Sequence, residues 1–504
     1  MIEMTLAEIA RVTGGRLHRA TGDERVRAVE FDSRKVGDGG LFLALPGERT
    51  DGHDFAAAAV AAGGVGVLAA REVDAPAVIV PAAPPSAGGT YLDEFDPDGS
   101  GAAVLTALGR LARRNVDSLA TGPARLRIVG ITGSSGKTST KDLVATVLAP
   151  LGETVAPPGS FNNELGHPWT ALRATEDTRH LVLELSARGP GHIARLCAVA
   201  PPSIGLVLNV GRAHLGEFGS PEGVAQAKGE LVEALAADGV AILNADDPAV
   251  SAMASRTAAR VVRFGLAAPV SAERSAHTGA PPGPDVSARD VVLDAGRARF
   301  RLVTPVGEAD VALQLVGEHH VSNALAAAAV ALELGGTPEG IAAALSAATP
   351  ASRWRMEVEE RADGVTVVND AYNANPESML AALRALAAIA RPTQTQPGRR
   401  TWAVLGPMAE LGPDSAAAHA ETAAAARELG VDRIVAVGTD AYGAGPRTTG
   451  RVDRDAALAL LRAELAPGDV VLVKASRSAG LDRLASALLA DVPDNTNEQE
   501  LVTR

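Results

Sequence analysis

The segment Leu126 to Thr140, LRIVGITGSSGKTST, limits what this chain can fold into more than any other. Its apolar run (Leu126, Ile128, Val129, Ile131) is rich in β-branched residues and carries no charge after Arg127, the composition of a buried strand. Thr132 and the turn Gly133, Ser134, Ser135, Gly136 follow. Lys137, Thr138 and Ser139 then open an amphipathic helix with Leu143, Val144, Val147 and Leu148 on its apolar side. Strand, glycine-rich turn, Gly-Lys-Thr and helix make a phosphate-binding loop. The glycines let several backbone N–H groups face one anion, and the helix N-terminus adds its positive end. Lys137 is placed to reach outer phosphates, and the Thr138 hydroxyl to complete the shell of a magnesium ion. Where the common form of the loop begins with glycine, this chain has Ile131, so the motif is a shorter G-S-S-G-K-T. A chance lysine in a turn would not require both the strand before it and the helix after it. A nucleoside triphosphate is the expected ligand.

A chain of 504 residues is too long for one core, and three domains are expected. The net charge of −13 argues against general nucleic-acid binding, which needs a basic face, but one loop can still make a local anion site. The lone cysteine, Cys197, excludes an intramolecular disulfide and lies in an apolar helical stretch, where it is expected in the core. Glu3 and Glu8 break any signal-like stretch, and the uncharged run Phe55 to Ala70 is too short and glycine-broken to span a bilayer. No membrane insertion and a cytoplasmic location are expected.

Along the chain, Thr5 and Glu8 have capping-box spacing ahead of a short helix. Apolar runs Val26 to Phe31, Leu41 to Leu45, Val65 to Leu68 and Ala77 to Val80, with a helix from Asp54 to Ala62, suggest a small α/β unit over 1–120. Residues 82–100 are rich in Pro, Gly, Ser and acid and are expected to be a loop, followed by a helix from Ala102 to Asp117. A second unit, 121–348, adds expected strands at Leu181 to Leu185, Ile204 to Val210, Val240 to Asn244 and Val261 to Phe264. This is the alternation of a mostly parallel, doubly wound sheet. A variable loop is expected over 267–287, then short antiparallel strands between Val291 and Leu315. A third, dinucleotide-fold-like unit over 349–490 has strands at Val365 to Asn369, Trp402 to Leu405, Ile434 to Val437 and Val470 to Val473, leaving a polar tail over 491–504. The fold class expected is α/β, a central phosphate-loop domain between two smaller α/β domains.

Chemistry-bearing residues gather at strand ends, where open α/β sheets bind ligands. Glu184 ends the strand LVLELS, one strand from the phosphate loop, and is placed to hold magnesium; Ser186 follows it. His214 follows another strand end and could be a ligand, a proton carrier or a packing residue. Lys228 sits on a mixed helix face that by pattern alone is solvated. The cluster NDAYNANP, Asn369 to Pro376, suits hydrogen bonding to a base or ribose. Asp32-Ser33-Arg34 and Lys474-Ala475-Ser476-Arg477 offer cations and hydroxyls suited to gripping carboxylate or phosphate.

Taken together, these blocks resemble the Mur ligase family of peptidoglycan synthesis over nearly the full length. DSRKVGDGGLFLALPGERTDGHDF is similar to the family's UDP-sugar-binding domain, ITGSSGKTS to its shortened phosphate loop, and FNNELGHP and LELSARGPGHI to the next two blocks. NVGRAHLGEFGSPEGVAQAKGEL is similar to the block carrying a metal-binding histidine and a carbamylated lysine. HHVSNALAA, SRWRME, NDAYNANPESM, LGPMAELG and VKASRSAGLD complete the match. The resemblance implies ATP as cosubstrate and two Mg2+ sites. Thr138 and Glu184 would hold one, His214 and a carbamylated Lys228 the other. It implies that Lys137 stabilises the migrating phosphoryl group, that Arg355 contacts ATP phosphate, and that Asn323, Asp370, Tyr372 and Asn373 frame the nucleotide. Ser33, Arg34, Asn162, Asn163, Ser186, Lys474, Ser476 and Arg477 fall to the two other substrates. DAYNANP is the most discriminating block and implies that the amine of D-alanyl-D-alanine is joined to UDP-N-acetylmuramoyl-tripeptide through an acyl phosphate, by a monomer. A family member adding the third residue would show a DNPR-type motif, which the sequence lacks. A non-catalytic nucleotide sensor would have little use for Glu184, His214, Lys228 and Lys474 in matching blocks.

Overall fold

The computed structural model describes residues 1–81, 92, 95–211, 218–266, 283–392 and 397–490. Three principal sheets organise the chain. The first has five strands in the spatial order Arg16–His18, Ala77–Ile79, Gly64–Ala69, Gly40–Leu43, Ala28–Glu30, parallel except for the first pair. Thr5 and Glu8 close the expected capping box on helix Leu6–Thr13. The stretch expected as a helix from Asp54 divides into a tight 3-10 turn, Gly52–Phe55, capped by Asp51, and a short α-helix, Ala56–Ala61.

The central sheet has nine strands. Its parallel part runs Arg260–Gly265, Val240–Asn244, Ile204–Val207, Arg127–Thr132, His180–Glu184, Thr154–Val155. The strand feeding the phosphate loop lies where the crossovers reverse direction, with Glu184 abreast of Ile131 on one side and Val207 abreast of Thr132 on the other. A crevice beyond the carboxyl ends opens at such a switch point. The strand expected to run to Val210 ends at Val207, freeing Leu208 to Gly211 to cross the mouth of this crevice. The expected short antiparallel strands are instead three long ones, Val286–Asp294, Arg297–Thr304 and Gly307–Val316, so the last residues of the expected loop 267–287 belong to a strand. Residues 267–282 of that loop, most of 82–94 and the tail over 491–504 lie outside the described residues.

The third sheet runs Glu357–Glu360, Thr366–Asp370, Val470–Lys474, Thr401–Leu405, Arg433–Ala436, parallel except for its first pair. Its three central strands are buried almost throughout and dominated by Val, Leu and Ala, as strands covered on both faces require, whereas the edge strand Glu357–Glu360 is acidic and partly exposed. Two core clusters join this sheet to its own helices, drawing from outside residues 349–490 only Val316, whereas one continuous core joins Leu6 and Ile9 through helix Ser100–Ala120 to Leu181 and Leu231. A knot of Phe31, Phe161 and Trp169, with ring centroids 5.0–5.9 Å apart, fastens the first sheet to the second, and Trp169 Nε1 donates to Val29 O at 2.9 Å. Among the described residues no helix is long and apolar enough to cross a membrane.

Candidate active site

The phosphate loop, the end of the Glu184 strand and the third sheet's strand ends line one cleft of about 410 Å³. Gly136 takes φ +78°, and a Cβ there would meet Asn323 Oδ1 at 2.9 Å, so glycine is required on two counts. Gly133 is tight as well, since a Cβ would lie 2.9 Å from Leu208 Cβ. One detail differs from the expected nest of N–H groups. Those of Ser134 and Ser135 both donate to Asn209 Oδ1, at 2.9 Å each. The start of helix Lys137–Leu148, whose N-cap, Gly136, supplies no side-chain acceptor, leaves N–H groups of the kind that can face an anion. Lys137 Nζ donates to Gly133 O at 2.7 Å; burial lowers its pKa, with the charge of Arg355 adding to that and those of Glu184 and Glu410 opposing it.

Glu184, only 1% exposed, accepts from three side chains: Thr138 Oγ1 (2.9 Å), Ser160 Oγ (2.9 Å) and Asn162 Nδ2 (2.7 Å). A carboxylate and a hydroxyl this close form the hard-oxygen pair that Mg2+ takes while keeping several waters, so these residues fit that ion. Among the described residues, no three or more His, Cys, Asp or Glu are close enough together to hold a metal ion between them. His214 lies outside the described residues. Lys228 corrects the pattern reading: it is 4% exposed, not solvated. Burial, and second the charge of Lys137, hold its amine well below the usual lysine range.

Across the cleft, sheet register sets Asp370 abreast of Lys474, and Lys474 Nζ donates to Asp370 Oδ2 at 2.6 Å and to Asn373 O at 2.9 Å. Arg355 stacks its guanidinium 4.1 Å from the Tyr372 ring centroid, and its buried Nε has no acceptor among the described residues. Trp354 and Met356, on either side of it, both adopt positive φ. Burial takes the His319 imidazole in the same cleft down to about 4.

Of the expected residues, Ser134 to Ser139, Asn162, Glu184, Ser186, Asn323, Arg355, Asp370, Tyr372, Asn373 and Lys474 line this cleft. The others do not. Asn163 accepts from Gly166 N–H at a helix start, Ser476 is buried and accepts from Ala409 N–H, and Arg477 lies over the Trp354 ring. Ser33 and Arg34 lie in the turn after strand Ala28–Glu30 of the first sheet, where the Arg34 guanidinium donates twice to Asp32 and holds that carboxyl down to about 2. The sequence reading missed Ser160, Asn209, Arg188, Glu377 and Glu410. Serine and asparagine in turns give no functional signal by themselves.

Three family models match: Mur ligase family, catalytic domain, over residues 25–94, Mur ligase middle domain over 131–331, and Mur ligase, glutamate ligase domain, over 354–477. The UDP-N-acetylmuramoyl-tripeptide--D-alanyl-D-alanine ligase of Mycobacterium tuberculosis (strain ATCC 25618 / H37Rv) is 56% identical, covering 97% of this chain and 98% of its own. The enzyme of that name from Escherichia coli K12 is 36% identical over 97% and 99%. Among solved structures, MurF from Acinetobacter baumannii superposes with a TM-score of 0.79 at 29% identity, covering 97% of this chain and 99% of its own. MurF ligase from Thermotoga maritima in complex with ADP gives 0.73 at 26% identity, over 92% and 97%. With that coverage, and a phosphate loop and third sheet facing each other across one cleft, the chain belongs to the Mur ligase family.

Proposed function

We propose that this chain is an ATP-dependent ligase that joins D-alanyl-D-alanine to the carboxyl end of UDP-N-acetylmuramoyl-tripeptide in peptidoglycan precursor synthesis. The observation that carries the reading is the convergence of the Lys137 loop, the Thr138–Glu184 pair and the Asp370–Lys474 pair on one cleft. Residues 1–120 would receive the UDP-sugar, with Ser33 and Arg34 facing it, 121–348 the ATP, and 349–490 the amino substrate.

A carboxylate is a poor electrophile at neutral pH, so transfer of the γ-phosphoryl group to it supplies a leaving group. Catalysis is then mainly positioning and charge neutralisation. Lys137 and Arg355 would neutralise the migrating phosphoryl group, while Asn323, Tyr372 and Asn373 frame the nucleotide. Thr138 and Glu184 would hold Mg2+, which when bound supplies further neutralisation of phosphate charge. Burial favours the neutral amine of Lys228, the form that reacts with CO2, which supports a carbamylated Lys228 acting with His214 at a second metal. Asn162 and Ser186 would hold the tripeptide carboxylate, and Ser476 and Arg477 would shape the amino-substrate side. Cleft walls from two sheets keep water from the acyl phosphate. The reading is of a monomer, and the nucleotide-linked substrate and ATP support a cytoplasmic location.

The test is phosphate release from ATP with the UDP-linked tripeptide, with D-alanyl-D-alanine, diaminopimelate or glutamate offered in parallel. Release that depends on both the tripeptide and the dipeptide, with a product heavier by one dipeptide, is expected. Ligation of diaminopimelate alone would overturn the reading.

A further inference from the structure

Four cations line the cleft among the described residues: Lys137, Arg188, Arg355 and Lys474. Three of them are engaged. Lys137 Nζ donates to Gly133 O in the phosphate loop, Lys474 Nζ donates to Asp370 and Asn373, and Arg355 lies over the Tyr372 ring. Arg188 is exposed to the cleft, and among the described residues its guanidinium makes no hydrogen bond or ion pair. The carboxylate that feels its charge, Glu164, is taken by His192, whose Nε2 lies 2.7 Å from Oε1. Burial works to raise that carboxyl, yet the His192 contact and charge hold it below its ordinary value, and Arg188 contributes least.

The backbone that carries Arg188 is fixed. Its own N–H donates to His192 Nδ1 at 3.1 Å, which ties the loop to the first turn of helix His192–Val199. On one side, Ser186 N–H and Oγ both donate to Asn162 O at 3.0 Å. On the other, Gly191 N–H donates to Glu230 Oε1 at 2.5 Å and Ala194 N–H to Oε2 at 3.0 Å, with Glu230 buried on the helix that carries Lys228. A side chain on such a backbone gives up less freedom on binding than one on a free loop. Asn162 adjoins Phe161, whose ring packs on Phe31, and Phe31 adjoins the Asp32-Ser33-Arg34 turn. Arg188 therefore stands on the seam between the first sheet and the phosphate loop. Besides burial, the charges that act on Lys137 are those of Glu184, Arg355 and Glu410, so Arg188 stands back from the outer-phosphate site.

A substrate held by its nucleotide on residues 1–120 and by its carboxyl end at the phosphate loop must cross that seam. Building on the ligase reading, we propose that Arg188 grips a carboxylate of the UDP-linked peptide other than the one that is phosphorylated, and so selects acceptors that carry one. The guanidinium fork matches a carboxylate with two parallel N–H···O bonds, where a lysine would offer a single point charge. Its place on the central sheet, not the third, assigns it to the acceptor and not to the dipeptide. The grip holds the peptide along its length and leaves the terminal carboxylate to Asn162, Ser186 and phosphoryl transfer.

Steady-state ligation by the full chain, with ATP and D-alanyl-D-alanine, tests this on two acceptors. One is the UDP-linked tripeptide; the other is the same molecule with every carboxylate but the terminal one converted to a carboxamide. For R188Q, KM for the unmodified acceptor is expected to rise about 30-fold, with KM for ATP and for the dipeptide within about twofold of the unaltered protein. Amidation should cost the unaltered protein about the same factor, and R188Q less than about twofold. R188K should recover only part of the loss. An unchanged KM in R188Q would overturn the proposal, as would an equal cost of amidation in both proteins. A loss in R188Q that amidation does not reproduce would put the side chain on the pyrophosphate of the UDP and overturn it too. Should R188Q fail to fold, the unaltered protein still decides, because an amidated acceptor with unchanged KM would overturn the proposal. If the unaltered chain released no phosphate with either acceptor, the ligase reading itself would fall.

Discussion

Glu184 gathers a threonine, a serine and an asparagine onto one buried carboxylate, and each of those contacts is one that a divalent cation or its water can share. Glu184→Gln keeps the shape and removes the charge; it should lower kcat about 10²–10³-fold with little change in melting temperature. Asn209→Ala should act on binding. With two loop N–H groups losing their acceptor, KM for ATP should rise about tenfold in steady-state kinetics and stability should fall by about 1–3 kcal/mol. At this scale the sequence was legible where residue type and chemistry coincide. Lys137, Thr138 and Glu184 announced themselves as a loop lysine, a loop hydroxyl and a strand-end acid. Asn209 and Ser160 did not, because only folding brings them from separate strand ends to the crevice. Lys228 misled by pattern, since alanines around its helix leave the buried face without a strong apolar stripe.

At the scale of elements, helix Pro376–Ala390 begins with Asn375, whose side chain accepts from Ser378 N–H while Ser378 Oγ accepts from Asn375 N–H. Asn375 Nδ2 also donates to Ser134 O at 3.4 Å, so this cap touches the phosphate loop. Asn375→Ala should cost about 1 kcal/mol in denaturant unfolding and raise KM for ATP. Helix His192–Val199 buries Cys197, and burial pushes its thiol up to about 12. Thiol-directed labelling should therefore proceed only in the unfolded chain, with native protein unmodified over hours. Parallel strands were legible as unbroken apolar runs. The antiparallel extension was underestimated because Arg297, Arg299 and Arg301 alternate with buried Ala298, Phe300 and Leu302, which dilutes the apolar signal of a strand with one solvated face.

For the molecule as a whole, acid should act partly through His167, which is fully buried and held neutral down to about 4 by loss of solvation. The unfolded chain takes that proton near pH 6.5. Between 6.5 and 4 it therefore binds more protons than the native state, and stability falls as pH falls; below 4 this contribution levels off. The penalty from one such group is about 3 kcal/mol at most. His167→Gln should flatten that limb of the stability–pH curve measured by denaturant unfolding.

The core clusters carry a consequence for how the polypeptide can be divided. The unit over 349–490 draws only Val316 into its core from outside itself, while the first sheet shares its core with the second through helix Ser100–Ala120. A fragment beginning near Thr349 should fold when expressed separately and show a cooperative melt of its own. Residues 1–120 expressed alone would expose the apolar face that Leu181 and Leu231 now cover, and should aggregate. In the history of such chains, the third unit is the one that could have been joined, exchanged or lost as a piece, whereas the first two can only have changed together.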